Sequence, residues 1–452
     1  MAGWQSGYAA ACKAVYAGSI PASASNSGFS LKFIRFMKSF FASALFFIKR
    51  IFISTEVDFI FSYHQSFAKK DGTLPELIEP LISYCKKYDY SYIIFEETDI
   101  TLQEKYIFPD KAVPLIFISL IESFLRKFFA WTSSENFSQD WRQGINRGAL
   151  DQKVSKITSF FVSKIECKKI ITLVSHKSNF WFYGLPSADM YDLQHGIIFD
   201  GDINYLFNGL PPEFKVRTEM KTLVHSDFFK NLLINRDDTN FYDENNVKKI
   251  GRSIIKKDLS NTLQNESQHE RYILFSAQNA LDCGEAQQKK YLEKATNFFI
   301  NIKPILFKYN FKIIHRDHPR ANLDEPIPYL ENEYIFRSNN KDLWRDIEDS
   351  FLHITFNSSS AIEAASFGLP TIFLELDNPS SGDFPDLASK DIYLRQYKYP
   401  HKNLFVSSIQ DFDDALSDYI RNITNYSEGV LQWHNTLVES ISDDSISKAL
   451  SL

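Results

Sequence analysis

The sequence predicts an α/β protein made of two parallel sheets, each wound with helices on both sides. Short, nearly continuous apolar runs recur at 57–62, 92–95, 169–175, 190–193, 272–275, 311–314, 351–356 and 371–376, the pattern of strands buried on both faces. Helical patterns alternate with them, as parallel strands joined by crossovers require. A polar, aperiodic stretch at 256–270 then divides the 452 residues into two parts, each long enough for its own core.

Composition narrows the class. Hydrophobic residues make up 44% and charged residues 23%, and the low Gly 16 and Pro 16 exclude a collagen-like or low-complexity chain. A net charge of −6 gives no reason to expect a nucleic-acid partner. Cys12, Cys85, Cys167 and Cys283 are scattered without metal-ligand spacing. They read as free thiols in a reducing, cytoplasmic compartment.

Residues 1–28 are small and aperiodic, with neither the charged start nor the apolar core of a secretory signal. Gly18-Ser19-Ile20-Pro21-Ala22-Ser23 resembles the peptide obtained when a tRNA gene is translated. A non-native or disordered extension is therefore expected, with Met37 nearer the true start. The segment 29–56 differs, because aromatic and aliphatic residues interleave with Lys32, Arg35, Lys38, Lys49 and Arg50. Its longest uncharged run, 39–48, is about half of a spanning helix. A basic amphipathic helix on an anionic membrane surface fits this composition. So does a helix packed on its own domain.

The first domain is expected over 57–257. Its first strand brings His64 to a carboxyl end, and the second ends at Glu96-Glu97. Residues 114–131 are strongly apolar, yet Glu122, Arg126 and Lys127 interrupt them, so a buried helix is expected rather than a span. The most specific feature is Leu193-Gln194-His195-Gly196-Ile197-Ile198, followed by Asp200, Asp202 and Tyr205. A His-Gly at the carboxyl end of a strand falls where open α/β sheets bind ligands. Glycine permits close approach or positive φ, and imidazole accepts protons near neutrality. His195 is the candidate general base, with Asp200 and Asp202 as carboxylate alternatives. Asp200-Gly201-Asp202 has the spacing of a metal-binding pair, but no metal site is expected. His64, Glu96, Gln194 and Gly196 are candidate acceptor contacts. A solvated strand end is the plain alternative for His64 and Glu96.

Residues 258–270 read as a linker and 271–425 as the second domain. Helices are expected over 291–309, 343–349, 412–423 and 429–440. Two signals organise this part: Ile313-Ile314-His315-Arg316-Asp317-His318-Pro319-Arg320 and Phe356-Asn357-Ser358-Ser359-Ser360-Ala361-Ile362-Glu363. In the second, three hydroxyl residues follow a strand and open a helical pattern that Gly368 and Pro370 stop. Such a helix start suits an anion, although serine and asparagine also cap helices ordinarily. His318-Pro319, ending a neighbouring strand, falls in the same crevice.

These residues resemble the C-terminal half of bacterial sialyltransferases, polysialyltransferases and capsule Kdo transferases, which are GT-B glycosyltransferases using CMP-activated sugars. Ser-Ser before a helix is also similar to the CDP-glycerol glycerophosphotransferases of teichoic acid synthesis. Gln194-His195-Gly196 resembles the His-Gly segment of surface-polysaccharide glycosyltransferases. The resemblance implies a GT-B fold: two Rossmann-like domains facing across a cleft, with 426–452 as a C-terminal crossover helix and tail anchored by Trp433. It implies that Ser276, His318, Pro319, Ser358, Ser359 and Ser360 bind the donor phosphates. Glu363 would hydrogen-bond a ribose, a capping glutamate being the alternative. The implied reaction is an inverting, metal-independent transfer from a nucleotide sugar, CMP-sugar favoured, to a glycan or lipid-linked acceptor of capsule or lipopolysaccharide. No cofactor beyond that co-substrate is implied. The implied place is the cytoplasm, peripheral at the inner membrane. A glycerophosphotransferase, a sugar-nucleotide epimerase and a non-catalytic glycan-binding protein of the same fold are the rivals.

Overall fold

The apolar runs become two parallel sheets in the computed structural model. It describes residues 26–64, 74–97, 112–132, 148–173, 177–199, 202, 204–206, 209–253, 271–277, 285–318, 327–331, 333–340, 342–375 and 390–452. Asp200, Pro319, Cys12, Cys283 and the expected linker at 258–270 lie outside the described residues. The described chain divides into a first unit, 26–253 with 439–452, and a second unit, 271–438.

The first unit begins with α1 (Asn26–Phe52) and β1 (Thr55–His64), followed by α2 (Glu79–Lys87), β2 (Tyr92–Glu97), β3 (Val113–Pro114), α3 (Ile116–Thr132) and α4 (Ala149–Thr158). It continues through β4 (Ile165–Leu173), α5 (Ser178–Gly184), β5 (Asp189–Leu193), α6 (Glu213–Thr218), β6 (Lys221–Val224), α7 (Asp227–Arg236) and β7 (Val247–Lys249). All strands are parallel, in the order β3-β2-β1-β4-β5-β6-β7. From Phe59 onward alternate side chains of β1 enter opposite cores, the alternation shifting at Asp58 and Phe59, whose N–H groups both donate to the Ser91 carbonyl. Phe59, Phe61 and Tyr63 meet Leu81 and Ile82 of α2, while Val57 and Ile60 meet Phe47 of α1, Ile118 of α3 and Trp181 of α5. Both faces are covered, which is why these strands read as unbroken apolar runs.

The second unit runs β8 (Arg271–Ser276), α8 (Glu285–Asn301), α9 (Lys303–Tyr309), β9 (Phe311–Arg316), β10 (Ile335–Arg337), α10 (Leu343–Glu348), β11 (Leu352–Thr355), α11 (Ser360–Ser366), β12 (Thr371–Leu374), β13 (Phe405–Val406), α12 (Ile409–Arg421) and α13 (Ile423–Leu437). Its parallel order is β10-β9-β8-β11-β12-β13. The single helix expected over 291–309 is two, α8 and α9. Pro304 sits in the first turn of α9, where its missing N–H is tolerated, whereas inside a continuous helix it would clash with the preceding turn.

Trp433 donates from Nε1 to the Tyr397 carbonyl at 2.7 Å, fixing α13 within the second unit. The chain then returns to the first unit. The Arg252 N–H donates to the Glu439 carbonyl at 2.8 Å, and the Ile441 N–H donates to the Arg252 carbonyl at 3.0 Å. A capping box at Ser442 starts α14 (Asp443–Leu450). This helix, not expected from the sequence, places Ile446 and Leu450 in the core beside Leu81.

Candidate functional site

Strand order in the second unit reverses between β8 and β11, and a crevice opens at the carboxyl ends of such a pair. Ser276 closes β8 and Thr355 closes β11. The Thr355 hydroxyl donates to the Ser276 carbonyl at 3.1 Å and accepts from the Ser358 N–H at 3.2 Å. The turn continues with the Ser360 N–H donating to Ser358 Oγ at 3.2 Å and Tyr393 OH donating to the Ser358 carbonyl at 2.6 Å. Ser359 precedes α11 without capping it by its side chain. Ser358 therefore takes the cap-like bond, and Ser359 is half-buried. Seven residues make α11 about two turns, so hydroxyls rather than a long helix dipole dominate here.

One residue ties this crevice together, and no sequence motif marks it. His353 lies fully buried inside β11. Its Nδ1 is 2.9 Å from Thr371 Oγ1 at the start of β12, and its Nε2 is 2.9 Å from Ser276 Oγ and 3.3 Å from Ser360 Oγ. Burial pushes its pKa down to about 3, so the ring is neutral and grips these hydroxyls by hydrogen bonds alone. The available signal was a polar ring interrupting an apolar strand, since a buried imidazole needs partners.

His318 lies half-buried two residues beyond β9, the other neighbour of β8. The Ala277 N–H donates to the Arg316 carbonyl at 3.0 Å, keeping the two strand ends together. Behind them, Arg316 pairs with Asp346 at 2.6 Å and His315 contacts Asp317 at 3.1 Å. Glu363 stands in the first turn of α11. Burial first, and then the Glu363 charge, hold the Tyr393 phenol well above its ordinary value.

The first unit carries a second group of polar strand ends. Gln194 is fully buried. Its amide donates to the Gly196 carbonyl at 2.8 Å and its oxygen accepts from the His225 N–H at 2.8 Å. His225 Nε2 in turn donates to the Gln194 carbonyl at 2.9 Å. Gln194, expected to touch an acceptor, is instead spent on shaping the loop. Gly196 does not take positive φ, and a Cβ there would meet nothing within 4 Å. Of the two reasons for glycine, only open space beside it applies.

His195 is half-buried. Its Nδ1 lies 3.2 Å from Tyr205 OH, and the rings stack at 5.8 Å. Beyond Tyr205, Lys215 Nζ sits 4.2 Å from that ring's centroid and pairs with Asp192 Oδ2 at 2.6 Å. Burial, followed by the Asp192 and Asp202 charges, keeps the Tyr205 phenol protonated. Asp202 accepts from the Asn204 N–H at 2.9 Å in the turn leading to Tyr205, and burial raises its pKa to about 6. None of Asp192, Lys215 or Tyr205 was marked as a site residue by the sequence.

His64 ends β1, beside the reversal between β1 and β4. Glu96 is not a solvated strand end: it is fully buried, Tyr63 OH donates to Oε2 at 3.1 Å, and burial raises its pKa to about 8. With β4 between β1 and β5, the strand that ends at His64 and the strand that leads to His195 run about 10 Å apart. Among the described residues no group of three or more His, Cys, Asp or Glu is placed to hold a metal ion.

No protein-family model matches the chain, and no curated protein matches it. Solved structures do. UDP-GlcNAc 2-epimerase from Neisseria meningitidis, described as bound to UDP-GlcNAc, aligns with a TM-score of 0.52 at 11% identity, over 88% of this chain and 100% of its own. A variant of the wall teichoic acid polymerase TagF aligns at 0.52 and 10% identity, over 95% of this chain and 97% of its own. The chain has the GT-B fold. A third GT-B neighbour, S. aureus MnaA with UDP, aligns at 0.51 and 10% identity, over 88% and 97%. Counted from its first strand, the second sheet has the order 3-2-1-4-5-6, the Rossmann order expected of a GT-B half.

Proposed function

We propose that the protein is a glycosyltransferase moving a sugar from a nucleotide-sugar donor to the hydroxyl of a glycan or lipid-linked acceptor. The observation that carries this is the hydroxyl-lined reversal point of the second unit, where Ser276 and Ser360 are fixed by His353. Hydroxyls and backbone N–H groups at such a point suit phosphate oxygens. In this reading Ser358, Ser359 and His318 contact the donor phosphate and Glu363 the ribose. The His318-Pro319 and serine resemblance favours CMP. UDP belongs in the same comparison, because two of the GT-B neighbours are described with UDP or its sugar.

His195 is the general base of this proposal. With Nδ1–H donating to the Tyr205 oxygen, the lone pair on Nε2 takes the proton of the acceptor hydroxyl. That oxygen bonds to the anomeric carbon as the bond from this carbon to the nucleotide phosphate oxygen breaks, and the nucleotide leaves with the electron pair. A single displacement of this kind inverts the anomeric centre without requiring a metal. Asp202 is the carboxylate alternative. Capsule or lipopolysaccharide synthesis is the pathway this chemistry serves.

Calorimetric titration with CMP, CDP and UDP, beside turnover of the matching sugar donors, tests the proposal. Ser359→Ala should weaken the preferred nucleotide. His195→Ala should leave nucleotide binding intact while turnover falls by at least about 100-fold. Binding of none of the three, or full turnover by His195→Ala, contradicts it. Epimerisation of the donor with no acceptor present would favour the epimerase reading instead.

A further inference from the structure

Ten of the seventeen large hydrophobic residues exposed among the described residues lie on one layer of the first unit, on α1, α3, α4 and the turns that follow α1 and α4. On α1 they form one stripe, Phe41, Leu45, Ile48 and Phe52; on α3 they form another, Phe124, Phe128 and Trp131. Spacings of three and four residues put each set on a single helix face. Both helices cover the same side of the sheet, since Phe47 and Ile118 enter one core, so both stripes point away from it. Phe52 is 82% and Trp131 85% exposed, and it is their grouping on one layer that sets them apart from singly scattered surface residues.

Among the described residues of these three helices the exposed charges share one sign. No acidic residue occurs in α1. Glu122 of α3 and Asp151 of α4 are buried and bonded inward, to Lys177 and Thr158 and to Arg126. The exposed charges of the three helices, Lys38, Lys49, Lys127, Lys153 and Lys156, are all cations, on a chain whose net charge is −6. No helix among the described residues is long and apolar enough to cross a membrane.

We infer that this composite face docks on an anionic lipid bilayer, with α1 and α3 lying in the interfacial plane and the lysines at the headgroups. The sequence pointed only to α1. The second stripe on α3 and the inward turning of both acids are properties of the fold. The inference does not depend on the reaction proposed above.

Flotation of the full chain with vesicles tests it, using phosphatidylcholine alone and an equimolar mixture with phosphatidylglycerol. Binding should be confined to the anionic vesicles and weaken as salt rises. Lys49→Glu with Lys127→Glu should lower partitioning by more than about tenfold. Phe52→Ser with Trp131→Ser should also lower it, with the circular dichroism spectrum retained in both pairs. Brominated lipid should quench tryptophan emission less in Trp131→Phe than in the parent. Equal binding to neutral and anionic vesicles, or no binding, overturns the inference. So does self-association in the absence of lipid that Phe52→Ser with Trp131→Ser abolishes, because the face would then belong to a second copy.

Discussion

His353 shows how much one neutral ring organises. Its pKa of about 3 lies below the ordinary histidine value of 6.5, so the unfolded chain binds the extra proton first as pH falls. The stability it contributes is complete above pH 6.5 and is lost towards pH 3, at about 1.4 kcal/mol per pH unit inside that window. Urea unfolding across this range should give a steep acid limb for the parent and a flatter one for His353→Gln. Parallel limbs would show that the buried imidazole is not responsible. Gly196 gives a cleaner separation of fold from function. A methyl group at Gly196 meets nothing within 4 Å, so Gly196→Ala should leave stability within about 0.5 kcal/mol while raising the acceptor KM or lowering turnover. Unchanged kinetics would mean that no ligand approaches there. Legibility at this scale followed sequence distance. The serines and His195 announce themselves within a few residues. His353 does not, because its partner Ser276 is 77 positions away.

At the scale of elements, two predictions follow the packing. Lys215 is fully buried against Asp192, and Lys215→Met would strand that carboxylate at a cost of about 3–5 kcal/mol. Adding Asp192→Leu should recover part of the loss, and thermal melts of both variants check this. Recovery of nothing would deny the pairing its importance. Gly251, after β7, has φ +88°, and a Cβ there would lie 2.8 Å from the backbone of Ile441. Gly251→Ala should therefore cost more than about 2 kcal/mol by straining φ and displacing the returning segment, read as a lowered Tm. An unchanged Tm would place the seam elsewhere. The buried strands were readable because both sheet faces are covered. β3 and β13, two residues each, are too short to show any period. The α8–α9 break was written in Pro304, and α14 was hidden because a helix of eight residues with four serines or aspartates carries little apolar pattern.

For the whole molecule, strand and helix alternation predicts the two parallel sheets that the structure shows, because alternation is a global property, whereas the GT-B fold was implied by the motif resemblance alone. The identity of the ligand is a matter of loop shape, which apolar periodicity does not encode. The most direct measurement is a crystal structure of the full chain with CMP. The account expects the phosphate at the carboxyl ends of β8 and β11, within about 3 Å of a hydroxyl of Ser358 or Ser359. A nucleotide seated among His64, Glu96 and His195 instead, with the serine crevice empty, would contradict it.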